Sequence, residues 1–256
     1  MDLPLFEHNF DGPAVIEPSE VLEPIDVPKC AVLCFFNDVI ESVSARPDAQ
    51  TVATLRVAHG PHPIYEIEHT GRRLAVFHPG VGAPLAAGLM EEAIALGCRN
   101  LVAVGGAGAL VPELTLGHAV IVESALRDEG TSFHYLPPGR ILDADPDGIA
   151  SLRQILEDAS VPYVGGRSWT TDGVYRETRA AVENRIAEGC ITVDMEAAAF
   201  IAVARYRDVR FGHLLYAGDS LAGDTWDERG WTTATAVREQ LFWLAADACL
   251  LLDQAQ

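Results

Sequence analysis

The residues best equipped for chemistry are two carboxylates. Glu196 sits in the run Thr192-Val193-Asp194-Met195-Glu196-Ala197-Ala198-Ala199, and Asp219 follows the strand-like run Phe211 to Ala217 and Gly218. A carboxylate accepts hydrogen bonds from two neighbouring hydroxyls at once, and such charge-assisted bonds strengthen as a sugar ring becomes electron-poor in a transition state. Glu196 is therefore a candidate sugar clamp, with Met195 beside it as a polarisable apolar contact. The same glutamate can instead cap and charge the first turn of a helix opening at Ala197. Asp219 also has two uses. At a strand end it is an acid whose charged form desolvation disfavours; in the turn Gly218-Asp219-Ser220 it is a capping side chain.

Positioning these groups requires a scaffold, and the hydrophobic pattern supplies an α/β one. Ala31 to Phe36, Leu74 to Phe77, Leu101 to Val104, Ala119 to Val122, Tyr163 to Gly165 and Gly212 to Ala217 read as strands, several without polar alternation. Ala83 to Leu96, Ile149 to Ala159, Arg179 to Ala187 and Ala197 to Tyr206 read as helices between them. Val237, Leu241, Leu244, Ala248 and Leu251 share one face of a further helix packing on the sheet. Val52 to Val57 and Ile64 to Ile67, joined through Pro and Gly, predict an antiparallel part, so the sheet is mixed and twisted with flanking helices. No repeat or linker divides the chain, which reads as one domain over residues 1–256 with 1–28 as an N-terminal extension packed on it. Two glycine clusters follow strands, His78-Pro79-Gly80-Val81-Gly82-Ala83-Pro84 and Gly105-Gly106-Ala107-Gly108. Each suits a tight turn, and the first also opens a helix whose amides suit a polar ligand.

Composition narrows the partner. The 256 residues are 49% hydrophobic and carry a formal charge of −19 with one lysine, Lys29, which excludes a phosphate-tracking nucleic-acid surface and points to a small ligand. Five scattered cysteines in apolar runs predict reduced, buried thiols in a cytoplasmic protein, with no disulfide and no metal. His59-Gly60-Pro61-His62 lacks an acidic or thiol partner nearby in sequence and reads as loop histidines. No apolar run reaches the roughly 18 to 20 residues of a membrane span.

Taken in order, Gly80-Val81-Gly82, Gly105-Gly106-Ala107-Gly108, Gly117-His118-Ala119-Val120-Ile121-Val122, Asp194-Met195-Glu196-Ala197-Ala198 and Gly218-Asp219 resemble the purine and uridine nucleoside phosphorylase superfamily, which also contains nucleosidases that use water. Arg127-Asp128-Glu129-Gly130-Thr131-Ser132-Phe133-His134-Tyr135 is most similar to its uridine-phosphorylase side. The resemblance implies cleavage of a nucleoside's N-glycosidic bond, no cofactor beyond inorganic phosphate as co-substrate, and a homo-oligomer (dimer, trimer of dimers or hexamer). It implies that Met195 and Glu196 hold the ribose with Asp194 beside them, and that Gly82, Gly106, Ala107 and Gly108 line the base and phosphate region. It further implies that Asp219 serves the base and that the loop Trp169 to Thr178 builds the base pocket. There Trp169 or Tyr175 stacks on a base, and Arg176 binds a base carbonyl or pairs with Glu177. Arg127 is another substrate-binding candidate; His134 is either a pocket group or a structural histidine. The chemistry suits these types, because breaking the bond leaves positive charge on the sugar and negative charge on the base.

The chain also departs from the family. The stretch Cys34-Phe35-Phe36-Asn37-Asp38-Val39-Ile40 stands where phosphorylases carry Gly-Asp-Pro and an arginine, and Ala103 stands where a second arginine is expected. Asp194 replaces a common Glu. A buried phosphate needs compensating donors and charge, the first from the amides of Gly80 to Gly82 and Gly105 to Gly108, the second from Arg46, Arg56 or Arg127, of this chain or of another subunit. The expected activity is phosphorolysis to free base and sugar 1-phosphate; the alternatives are hydrolysis with water and a non-catalytic nucleoside-binding homologue.

Overall fold

A computed structural model describes residues 3–7, 12–58 and 60–254; His59 and the first residues of the N-terminal extension lie outside these. Ten strands form one mixed sheet: β1 (Cys30–Cys34), β2 (Gln50–Val57), β3 (Gly60–His69), β4 (Arg72–Phe77), β5 (Asn100–Ala109), β6 (Ala119–Asp128), β7 (Ile141–Asp143), β8 (Tyr163–Thr171), β9 (Cys190–Asp194) and β10 (Arg210–Ser220). Seven α-helices accompany them: α1 (Pro18–Val21), α2 (Asn37–Ser44), α3 (Ala83–Leu96), α4 (Pro146–Asp158), α5 (Arg179–Ala187), α6 (Ala197–Tyr206) and α7 (Thr235–Leu252).

The central strand is β5, buried along nearly its whole length because Leu101 to Val104 have no polar face to offer solvent. Its first half pairs in parallel with β1, which passes through parallel β4 to the antiparallel β3 and β2. Its other edge pairs in parallel with β10. Past Val104 the strand changes partner, and Gly108 and Ala109 pair antiparallel with Val193 and Thr192 of β9. Since β9 joins β8, β8 joins β6 and β6 joins β10, the strands β5, β9, β8, β6 and β10 close into a ring. Gly108 permits the switch: a Cβ there would lie 2.9 Å from Val193 Cγ1 and 2.7 Å from Leu221 Cδ1.

Helices cover both faces of the sheet. α3 and α6 pack Met90, Ala93, Ala198 and Phe200 on one side. α2, α4 and α7 pack Val39, Leu156, Phe242 and Ala245 on the other. α4 approaches β10 so closely that a Cβ on Gly148 would sit 2.1 Å from the Phe211 carbonyl oxygen. Asp145 fixes the approach, one carboxylate oxygen capping the helix at the Asp147 amide and the other accepting the Phe211 amide. Gly148→Ala is expected to cost about 2 kcal/mol, the usual scale of overpacking, read as a lowered denaturant midpoint. An unchanged midpoint would refute this account of the contact.

The structure corrects one reading and adds two elements. Asn37–Ser44 is an eight-residue helix burying Val39, Ile40 and Val43. Strand β8 runs on to Thr171, so Trp169 to Thr171 belong to the ring and not to a loop. Cys190–Asp194 is a strand, which is why the Asp-Met-Glu run begins inside the sheet.

Candidate active site

One cavity of about 530 Å³ opens where β5, β9 and β10 end. Glu196 and Asp219 both line it, although β9 and β10 approach it from different parts of the ring. Gly106, Ala107 and Gly108 form the wall between them, Met195 lines it half-buried, and Gly82 stands just outside, next to the lining residue Val81.

Glu196 is the last residue before α6, and its carboxylate turns away from that helix. Its Oε1 accepts the Gly82 amide at 2.6 Å, at the N-terminus of α3. Helix amides that would suit an outside anion thus hold a carboxylate of the chain itself. Gly80 (φ +78°) and Gly82 (φ +92°) supply the left-handed turn that aims this amide. Burial pushes the Glu196 carboxyl up to about 7 against the pull of the Gly82 amide. The capping of α6 falls instead to Asp194, whose Oδ2 accepts the Ala197 amide at 3.0 Å. Thr170 Oγ1 accepts the next amide, that of Ala198. Burial and the adjacent Glu196 charge hold Asp194 well above the usual carboxylate range, and its Oδ1 is buried without a hydrogen-bond partner.

Asp219 Oδ2 accepts the Trp226 indole N–H at 2.6 Å. Glu177, absent from the sequence-based candidates except as an ion-pair partner for Arg176, also lines the cavity. Burial and then the Asp219 charge push it up to about 7. His213, in β10, lines the cavity as well and was not singled out from sequence. It is 2% exposed, packed against the rings of Phe200 and Phe211, and neither ring nitrogen has a hydrogen-bond partner. Burial holds it down at about 3, so the ring is neutral.

Several predicted site residues lie elsewhere. Trp169 is 2% exposed, with its indole N–H on Asp128 and Arg185 stacked on it, because β8 carries it into the ring. Tyr175 is 95% exposed and Arg176 faces solvent, while the half-buried Glu177 that follows them lines the cavity, as does Val174 at its exposed rim. Arg127, in β6, is buried against the segment that follows, donating to Ser132 Oγ and to the carbonyls of Leu136 and Pro137 while stacking on Phe133. His134 is exposed and lines a different cavity, with Arg56. Arg46 is held by Asp48 and lies over Trp243. None of the arginines offered as phosphate anchors reaches the acid cavity.

The wall of that cavity is instead anionic and apolar. Five carboxylates line it, Asp38, Glu177, Asp194, Glu196 and Asp219. The cation on its wall, Arg238, is committed to Asp38 and to the Trp231 carbonyl. The Phe35 ring occupies the space beside Gly105, where a Cβ would meet it at 2.9 Å. Ala103, at the position of the missing arginine, is buried and paired in register with His213. Among the described residues no group of three or more His, Cys, Asp or Glu is placed to hold a metal ion, and no helix is long and apolar enough to cross a membrane.

Known proteins share this architecture. A purine nucleoside phosphorylase from Toxoplasma gondii, solved in complex with immucillin-H, superposes with a TM-score of 0.77 at 21% identity, over 90% of this chain and 93% of that one. A uridine phosphorylase from Vibrio fischeri superposes at 0.74 with the same identity and coverage. At such identity these likenesses establish the fold. In sequence, the chain is 28% identical over 187 residues to a guanosine phosphorylase of Halorubrum lacusprofundi, covering 71% of this chain and 76% of that one. It is 31% identical over 153 residues to a uridine phosphorylase of Treponema pallidum, covering 56% and 59%. The family model described as the phosphorylase superfamily matches residues 29–250, nearly the whole sheet and its helices, and the chain belongs to that superfamily.

Proposed function

We propose that this chain cleaves the N-glycosidic bond of a nucleoside with water as the acceptor. The observation that carries the reading is one cavity lined by both Glu196 and Asp219, with no uncommitted cation on its wall among the described residues. Glu196, fixed by the Gly82 amide, is placed to grip sugar hydroxyls, and its ionised form stabilises positive charge growing on the ring. Asp219 faces the departing base. A phosphate dianion brought into this wall would meet carboxylates and the Phe35 ring, and its desolvation would go uncompensated. Water carries no such penalty.

Phosphorolysis is the second reading, favoured by the names of the guanosine and uridine phosphorylases the chain resembles. The experiment that separates the two incubates pure protein with purine and pyrimidine nucleosides, with and without phosphate, and follows free base and sugar 1-phosphate. The expected result is base release at a rate indifferent to phosphate, with free pentose as co-product. Release that requires phosphate would establish the second reading. Nucleoside binding without release from any nucleoside would make the chain a non-catalytic binder.

A further inference from the structure

Glu177 closes the turn Val174–Arg176 between β8 and α5, and it enters the cavity while Tyr175 and Arg176 face outward. Its carboxylate makes no hydrogen bond or ion pair with any described residue, whereas that of Asp219 is tied to Trp226. The two acids have therefore been given different tasks. Asp219 is anchored by the Trp226 indole, and Glu177, half-buried, with its carboxyl pushed up to about 7 by burial and then by the Asp219 charge, is the group free to hand on a proton.

We propose that Glu177 is the proton donor to the departing base, and that Asp219, held by the Trp226 indole, is the neighbouring carboxylate on the same cavity wall. As the bond between the anomeric carbon and the base nitrogen breaks, its electron pair stays with the base. The base takes the Glu177 proton and leaves neutral. Water adds its oxygen to the anomeric carbon, and the proton it releases returns through solvent to Glu177, so nucleoside and water give sugar and free base. The inference rests on the proposed N-glycosidic cleavage but not on the identity of the acceptor, because the leaving base needs its proton in either case.

The test compares two substrates in wild type and Glu177→Gln: a natural nucleoside, whose base leaves poorly as an anion, and 4-nitrophenyl β-ribofuranoside, whose phenolate leaves without a proton. Glu177→Gln is expected to lower kcat/KM for the nucleoside about 100-fold or more while changing that for the nitrophenyl riboside by less than about threefold. Activity of the wild type on the nucleoside should fall as pH rises through about 7, where Glu177 loses its proton, and the nitrophenyl reaction should lack that limb. Glu177→Asp, which restores an acid, should recover part of the nucleoside activity. Equal losses on both substrates, or none on the nucleoside, would overturn the assignment of Glu177 while leaving N-glycosidic cleavage standing. A wild type inert toward every nucleoside would overturn both.

Discussion

Replacing Glu196 with glutamine will abolish turnover and, at pH 8, stabilise the protein. Glutamine keeps the oxygen that accepts the Gly82 amide at 2.6 Å but carries no charge to offset positive charge on a sugar ring, so a loss of about 100-fold or more in kcat/KM is expected. The stability gain follows from burial. The native carboxyl titrates near 7, above the ordinary value of 4.5 that the unfolded chain shows. Below 4.5 both states hold the proton and nothing is lost. As pH rises from 4.5 to 7 the unfolded chain ionises first, and the folded state forfeits up to about 3 kcal/mol, a loss complete above pH 7. Glutamine has no such loss. Urea titrations at pH 8 and pH 4 should show the variant more stable than wild type at the first and level with it at the second. A variant that keeps near-normal activity, or that unfolds more readily at pH 8, would disprove the role of this residue.

The second large effect runs in the opposite direction with pH. His213 titrates near 3 in the folded protein against 6.5 for an ordinary histidine, and burial alone is the cause. Its contribution is therefore undisturbed above pH 6.5. It is lost as pH falls from 6.5 toward 3, because the unfolded chain takes up a proton that the folded chain refuses. The whole span is worth up to about 5 kcal/mol. His213→Phe keeps a flat ring among Phe200 and Phe211, removes two buried nitrogens that have no partner, and should abolish this share of the acid sensitivity. Unfolding midpoints compared between pH 7 and roughly pH 4 decide the matter. Parallel losses in wild type and variant would show that the imidazole is protonated within the fold.

Much of this site could be read from residue types. The apolar runs of β5 and β10 and the period of α7 follow directly from burial, since a strand covered on both faces and a helix packed along one face leave different spacings. The Gly-Asp pair follows an apolar strand-like run and the Asp-Met-Glu run opens an alanine-rich helix, which brought Asp219 and Glu196 forward as candidates. The helix Asn37–Ser44 is short, and its one apolar face is three residues, Val39, Ile40 and Val43. Trp169 to Thr171 passed for a loop because the ring buries hydroxyls as well as apolar groups. Ser168 and Thr192 hydrogen-bond to each other and Thr170 caps α6, so the alternation that marks a strand is missing. Glu177 and His213 were out of reach for a different reason. What distinguishes them is what they lack or oppose in space, an anchored Asp219 for one and any hydrogen-bond partner for the other, and neither is a property of the residues beside them in the chain.

The closure of β5, β9, β8, β6 and β10 on one another limits how a molecule can get in and out. An open sheet can widen a cleft by splaying two strands, but here Gly108 and Ala109 are bonded to β9 on one side while Ala107 is bonded to β10 on the other, so the floor of the cavity cannot part without breaking backbone pairing. Passage is left to the two covers that carry no ladder pairing across the mouth, the turn around Val174 and the segment bearing Trp226 and Trp231. Those covers also carry Glu177 and the indole that anchors Asp219, so the way in and the acid proposed for the leaving group belong to the same two segments.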